Sequence, residues 1–187
     1  MKPVALILAF GLVGCAAPAL RTPPADLAPV AEIARFAVEG RLQVRDGERS
    51  AAVGFDWLHD GPRDEWLFTG PLGQGLARIE SDAAGARMTL SDGRRAEAAS
   101  AAELAASLLG VEAPFASLPR WITARPGAGA QVRAVDAQGR PRQLVDLGWT
   151  IDYAEYADEG AADALPRKID IHRGDTRLRL IVDAWNP

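Results

Sequence analysis

The stretch Phe36-Ala37-Val38-Glu39-Gly40-Arg41-Leu42-Gln43-Val44-Arg45-Asp46-Gly47-Glu48-Arg49-Ser50-Ala51-Ala52-Val53-Gly54-Phe55-Asp56-Trp57 decides the fold, because its apolar residues recur at every second position on both sides of a turn signal. Phe36, Val38, Gly40, Leu42 and Val44 fall on one side of an extended chain, and the residues between them include Glu39, Arg41 and Gln43. That period of two is the mark of a half-buried strand. Asp46-Gly47 favours a tight turn, and Ala51, Val53, Phe55 and Trp57 repeat the alternation on the way back, so a β-hairpin is expected. Gly61-Pro62 ends it ahead of Trp66 and Phe68. Shorter alternating runs follow at 76–80, 87–90 and 94–98, the last two joined by Asp92-Gly93, and again at 132–135, 143–146, 149–156, 168–172 and 177–183. Strands at such close spacing, separated by turn residues, form an antiparallel meander rather than crossover units.

One helical stretch interrupts the strands. Ser100 with Glu103 three residues on makes a capping box, Ala101, Leu104, Ala105 and Leu108 form an apolar stripe, and Gly110 closes the helix. A second short helix is expected over 117–123, with Pro119 in its first turn and Trp121 and Ile122 as apolar cargo. A sheet of about ten or eleven strands with one apolar face curls and covers that face with its helices. The expected fold is therefore mainly β: an open, incompletely closed antiparallel barrel under a short α-helical lid. Trp57, Trp66, Trp121, Trp149 and Trp185 supply bulky apolar walls, which either line a cavity wide enough for a hydrophobic ligand or simply fill the core.

The N-terminus carries a different message. Lys2 precedes an apolar run from Val4 to Val13 that is too short to span a bilayer, and Leu12-Val13-Gly14-Cys15 is a lipobox holding the chain's single cysteine. Residues 1–14 read as a signal peptide and Cys15 as the site of lipid attachment, its thiol carrying diacylglycerol and its amine a further acyl chain such as palmitate. Ala16, rather than Asp, follows the cysteine, which favours the periplasmic face of the outer membrane over the inner membrane. Residues 15–31, rich in Ala and Pro, form a lipidated tether, and residues 32–187 a single domain.

Composition narrows the chemistry. A net charge of −4 argues against binding built on phosphate neutralisation, so nucleic acid is not an expected partner. With Cys15 committed to the anchor, His59 and His172 are the remaining candidates for nucleophilic or metal chemistry; both lie at expected turns and read as solvated. No catalytic residue, metal or cofactor is expected. Gly70, Gly73 and Gly75 fail the nucleotide-binding patterns, since Arg78 stands where a third glycine belongs and no Lys-Ser or Lys-Thr pair follows. In Thr69-Gly70-Pro71-Leu72-Gly73-Gln74-Gly75, Pro71 and Gly73 fix a turn and Leu72 is its one large apolar residue. Leu72 either folds back onto the barrel mouth or projects outward; projection would suit contact with lipid.

In order and spacing these features resemble the LolB family of outer-membrane lipoproteins. The likeness rests on Cys15, Phe36…Gly40-Arg41, Trp57, Pro71-Leu72-Gly73, Pro114…Leu118…Trp121, Gly148-Trp149…Tyr153…Tyr156, Leu165-Pro166 and Leu180…Trp185. It implies an open barrel with a helical lid, a hydrophobic cavity for acyl chains, and an exposed leucine on a protruding loop that is needed for membrane insertion. Leu72 matches that leucine, whereas Gly70 stands where the family often has an asparagine. The implied function is a receptor that takes triacylated lipoproteins from a LolA-like periplasmic carrier and inserts them into the inner leaflet of the outer membrane without nucleotide hydrolysis, as a monomer. The alternatives are a scaffolding envelope lipoprotein with a filled barrel and, third, a hydrolase built on an unrecognised carboxylate pair.

Overall fold

The opening hairpin forms in register, with Val44 opposite Ala51, Leu42 opposite Val53 and Val38 opposite Trp57. In the computed structural model, which describes residue 27 and residues 33–186, the alternation separates two faces. Phe36, Val38, Leu42 and Val44 are buried, while Glu39, Arg41, Gln43 and Arg45 are exposed. Eleven antiparallel strands make one sheet: β1 (Arg35–Asp46), β2 (Arg49–Asp60), β3 (Arg63–Thr69), β4 (Gly75–Asp82), β5 (Gly85–Leu90), β6 (Arg95–Ala98), β7 (Gln131–Val135), β8 (Pro141–Asp146), β9 (Trp149–Tyr156), β10 (Pro166–Arg173) and β11 (Thr176–Asn186). Between β6 and β7 lie α1 (Ala101–Leu109), a 3₁₀ turn (Phe115–Ser117) and α2 (Leu118–Ile122).

The strand order β6-β5-β4-β3-β2-β1-β11-β10-β9-β8-β7 joins two meanders through their first and last strands and leaves β6 and β7 at opposite edges. The helical segment crosses from one edge to the other. Ser100 caps α1, its Oγ accepting from the Glu103 N–H, and Gly110 ends the helix at φ 73° with its N–H donating to Ala106 at 2.8 Å. On its inner side the segment buries Leu104, Leu109, Phe115, Leu118, Trp121 and Ile122 against the concave face. An open antiparallel barrel with a helical lid is thus the observed fold.

Because every pairing is antiparallel, the turns fall on two rims. Turns 47–48, 70–74, 91–94, 147–148 and 174–175 share the upper rim. Turns 61–62 and 83–84, the 136–140 and 157–165 connections, the chain's entry at Ile33 and the end of β11 share the lower one.

The seam between the meanders needs a glycine. At the bulge after Glu39, a Cβ on Gly40 would lie 2.2 Å from the Ile181 carbonyl oxygen and 3.2 Å from the Phe55 ring. The bulge also changes parity along β11, so that Trp185, opposite Val38, returns to the inner face. Gly40→Ala should lower stability by about 1–3 kcal/mol, because backbone must shift to admit the methyl. In urea unfolding this is expected as a lower midpoint at unchanged slope.

Candidate functional site

The concave face is an aromatic wall. Trp57 and Trp66 stack at 4.0 Å between centroids, Trp66 lies parallel to Phe68 at 5.7 Å, and Phe36 meets Trp57 edge-on at 4.9 Å. The lid closes on this wall from above, Phe115 packing edge-on to Trp66 at 5.3 Å. Trp121 meets Trp149 at 6.3 Å on the other side. Four of the five tryptophans, Trp57, Trp66, Trp121 and Trp149, are at most 4% exposed. Trp185 is partly buried, edge-on to Phe36, with its indole N–H donating to the Pro166 carbonyl at 3.0 Å. All five face inward, and with the lid seated the interior is packed with side chains.

Polar clips hold the lid down. Asp146, 4% exposed at the end of β8, accepts from the Trp121 indole N–H at 2.9 Å and from the Arg120 guanidinium at 3.3 Å. The Tyr153 hydroxyl donates to the Trp121 carbonyl at 2.9 Å. Tyr156 donates to the Pro141 carbonyl, and the Arg140 guanidinium sits 4.0 Å over its ring. Arg140, 2% exposed, also binds Asp136 and the carbonyls of Asp158, Glu159 and Ala161, tying the 157–165 connection to the 136–140 turn. Burial of Asp136 works to raise its pKa, but hydrogen bonds from the Arg140 backbone and side chain overcome this and hold it below the usual carboxylate value.

The Leu72 loop is the reverse of the interior. Gly73 N–H closes a turn onto the Gly70 carbonyl at 2.9 Å, and Gly70 N–H donates to the Gln74 carbonyl at 2.8 Å. The Gln74 side chain folds over the loop and accepts from the Leu72 N–H at 3.1 Å. A Cβ on Gly70 would lie 2.4 Å from the Gln74 amide nitrogen, so glycine here makes room for this internal brace. Leu72 itself is 93% exposed. Of the two positions open to it, projection is the one observed, and nothing of the barrel mouth covers it.

Two expectations need correction or fall outside view. His59 is not solvated: its side chain is 12% exposed, its ring tilted against Phe36 at 4.9 Å, and its Nδ1 lies 2.8 Å from Asp64, which also accepts the Trp57 indole N–H at 2.7 Å. The Asp64 carboxylate is needed because Trp57 turns its N–H toward the lower rim. His172, 3.2 Å from Asp152, is half-exposed on the outer face. Cys15, the signal peptide and most of the tether lie outside the described residues. Among those described, no group of three or more His, Cys, Asp or Glu could hold a metal, and no helix is long and apolar enough to cross a membrane. Asp146, Arg140 and the exposed Leu147 were not marked by the sequence reading; Arg140 and Asp146 flank turns and look solvated until the packing is known.

A family model described as outer membrane lipoprotein LolB matches residues 34–185, all of the sheet and its lid but the last residue of β11. The chain belongs to the LolB family. Among curated relatives, the outer-membrane lipoprotein LolB of Azoarcus sp. (strain BH72) is 41% identical over 175 residues, covering 93% of this chain and 89% of the relative. That of Thiobacillus denitrificans is 38% identical over 188 residues, covering 99% and 98%. The crystal structure of a LolA superfamily protein from Nitrosomonas europaea aligns with TM-score 0.50 at 10% identity, over 81% of this chain and 85% of that one, a likeness of fold. LolB membership makes the chain a lipid-anchored protein of the outer membrane and not an enzyme.

Two measurements test the lid clips. Asp146→Ala should speed hydrogen exchange of the 118–123 amides roughly 10- to 100-fold, the loss of a buried charge-assisted bond of about 1.5–3 kcal/mol. Burial pushes both phenols up, Tyr153 well above its ordinary value. These are the chain's two tyrosines, so ultraviolet titration of the native protein should show no phenolate at about pH 10. A raised folded pKa stabilises the fold below the unfolded value. That contribution is therefore lost above about pH 10, where phenolate should appear together with unfolding.

Proposed function

We propose that the protein receives triacylated lipoproteins from a periplasmic carrier of the LolA type, shelters their acyl chains against the aromatic wall, and passes them to the inner leaflet of the outer membrane, itself held there through lipid on Cys15. The observation that carries this reading is Leu72: a leucine left 93% exposed on a braced loop, at the rim of an interior whose tryptophans are covered by a helical segment. An exposed apolar side chain held by its own backbone bonds is maintained against the hydrophobic effect, and a bilayer is the solvent that repays it.

Energetics call for such a device. Three acyl chains expose on the order of 45 methylenes, which at about 0.8 kcal/mol each makes free passage through water cost roughly 35 kcal/mol. The lid addresses this by substitution. Phe115, Leu118, Trp121 and Ile122 occupy the concave face in the closed state, and acyl chains of the cargo take their place when the segment lifts. Hydrocarbon replaces hydrocarbon, so the free-energy difference between loaded and empty states stays small. Direction follows from an affinity gradient, carrier to receptor to membrane, without nucleotide.

Close packing of the interior favours one other reading, a scaffolding lipoprotein whose barrel never opens. A fluorescent fatty-acyl probe separates the two: stoichiometric binding is expected from a receptor and none from a filled barrel. For insertion, transfer of a labelled triacylated lipoprotein from carrier to liposomes is the assay. Leu72→Glu is expected to take cargo from the carrier as wild type does and to deliver it at least about tenfold more slowly, since burying a carboxylate in the bilayer interface is costly. Normal delivery by this variant would remove the loop from the mechanism.

A further inference from the structure

Leu72 is not alone on its rim. At the tip of the β8–β9 hairpin, Leu147 is 69% exposed, and with Gly148 it forms a two-residue turn between Asp146 and Trp149. Leu147 has φ 50° and Gly148 φ 79°, the paired positive angles of a type I′ turn, which favours Asn-Gly and strains a leucine. A large apolar side chain therefore stands in water in a backbone conformation that a smaller residue would adopt more easily. Neither packing nor local conformation accounts for it.

Its surroundings share one chemistry. The Arg173 guanidinium lies 4.4 Å over the Trp149 ring, with its Cδ within 3.9 Å of a Cβ placed on Gly148. Arg120, half-exposed, lies on the lid beside Asp146. Around the rest of the upper rim Arg45, Arg49, Arg94, Arg95 and Arg177 are exposed against the carboxylates Asp46, Glu48, Asp92 and Asp175, with Arg94 paired to Asp92 at 2.6 Å. The lower rim is opposite in sign: Asp60, Asp82, Asp136, Asp158, Glu159 and Asp163 outnumber Arg35, Arg63 and Arg140, of which Arg35 pairs with Asp60, and Arg140 with Asp136 and Glu159. Two leucines set among arginines fit a bilayer with anionic headgroups, and an acidic far rim is repelled from it.

Chain reach permits this orientation. The described domain begins at Ile33 on the lower rim, so seating the upper rim on the membrane requires residues 15–33 to run back along the full height of the sheet. Those eighteen steps span about 56 Å at the 3.1 Å rise of Pro-rich extended chain. The twelve residues of β1 rise only about 36 Å.

We propose that Leu147 is a second membrane-contacting residue, and that the arginine-rich upper rim carrying both Leu72 and Leu147 is the face this protein seats on an anionic bilayer. The proposal rests on the receptor reading and on the anchor at Cys15, and its test separates the three. Full-length lipidated protein is placed in phosphatidylethanolamine–phosphatidylglycerol liposomes with one new cysteine at 72, 147 or 84, labelled with an environment-sensitive fluorophore; the acylated Cys15 thiol does not react. Nitroxide in the acyl chains is expected to quench the probe at 72 and at 147 at least about twofold, less so in high salt, and to leave the probe at 84 on the lower rim unaffected. Deleting residues 18–27 leaves eight steps, about 25 Å, and should abolish quenching at both leucine positions while the protein stays membrane-bound.

Quenching at 72 but not at 147 would overturn the proposal and leave the receptor reading standing. Loss of quenching at both would overturn the insertion loop as well, and release of the protein from liposomes would point to the anchor. Leu147→Gly supplies the functional arm. Glycine suits the positive φ, so the melting temperature should rise about 2–4 °C while delivery of cargo slows several-fold with uptake unchanged. Unchanged delivery by this more stable variant would equally overturn a role for Leu147.

Discussion

The pairing of β1 with β11 is the constraint on which the remaining structure depends. It joins strands from the two ends of the described chain, with Val44 opposite Leu178 and Val38 opposite Trp185, and without it the halves would be separate meanders with apolar faces open to water. All other strand pairings are between neighbours in sequence and can form from short loops; this one closes a loop of well over a hundred residues, so its entropy cost is met only by extensive side-chain burial. The seam is correspondingly rich in interaction. Phe36, Leu42, Leu178 and Leu180 are each about 1% exposed, and Arg41 with Asp183 forms a bidentate pair across the outer face, Nη2 to Oδ1 at 2.9 Å and Nε to Oδ2 at 3.2 Å. That pair is exposed and adds little; the apolar contacts beneath it hold the seam.

The lid is held in a different way from the sheet. Its apolar side chains would adhere to any greasy surface, but Asp146, Tyr153 and the carbonyl of Trp121 give it one seating, because each polar group is buried and has a partner only in that arrangement. Among the described residues no buried side-chain nitrogen or oxygen lacks a hydrogen bond. Lifting α2 would therefore expose hydrocarbon and break a small set of directional bonds together, as a discrete event and not a gradual loosening.

Much of this was legible in the chain. Alternation marked every strand to within three residues, since a sheet with one wet face writes its burial directly into a period of two, and Ser100, Glu103 and Gly110 marked the ends of α1 by capping chemistry alone. The inward tryptophans and the loop of Leu72 were visible as residues, though not their states. Exposure of Leu72 depends on Gln74 bracing the backbone, an interaction with no periodic signature. His59 looked like a turn residue in water, and its burial beside Asp64 follows from the direction of the Trp57 indole N–H, which spacing does not encode. Leu147 escaped notice for a similar reason: one leucine beside a glycine is unremarkable until the hairpin places it at a tip with positive φ.

The unpaired gap between β6 and β7 bears on how an acylated polypeptide could be handled at all. A closed barrel is entered only through an end, so a ligand attached to a folded protein would have to be threaded, and the attachment point would have to pass the mouth. Here no hydrogen bonds join the two edge strands, and the segment 99–130 is the only covalent link between them. In the proposed receptor function, a swing of that segment opens the groove along its side, so that hydrocarbon tails enter laterally while the body they belong to stays folded in the aqueous phase.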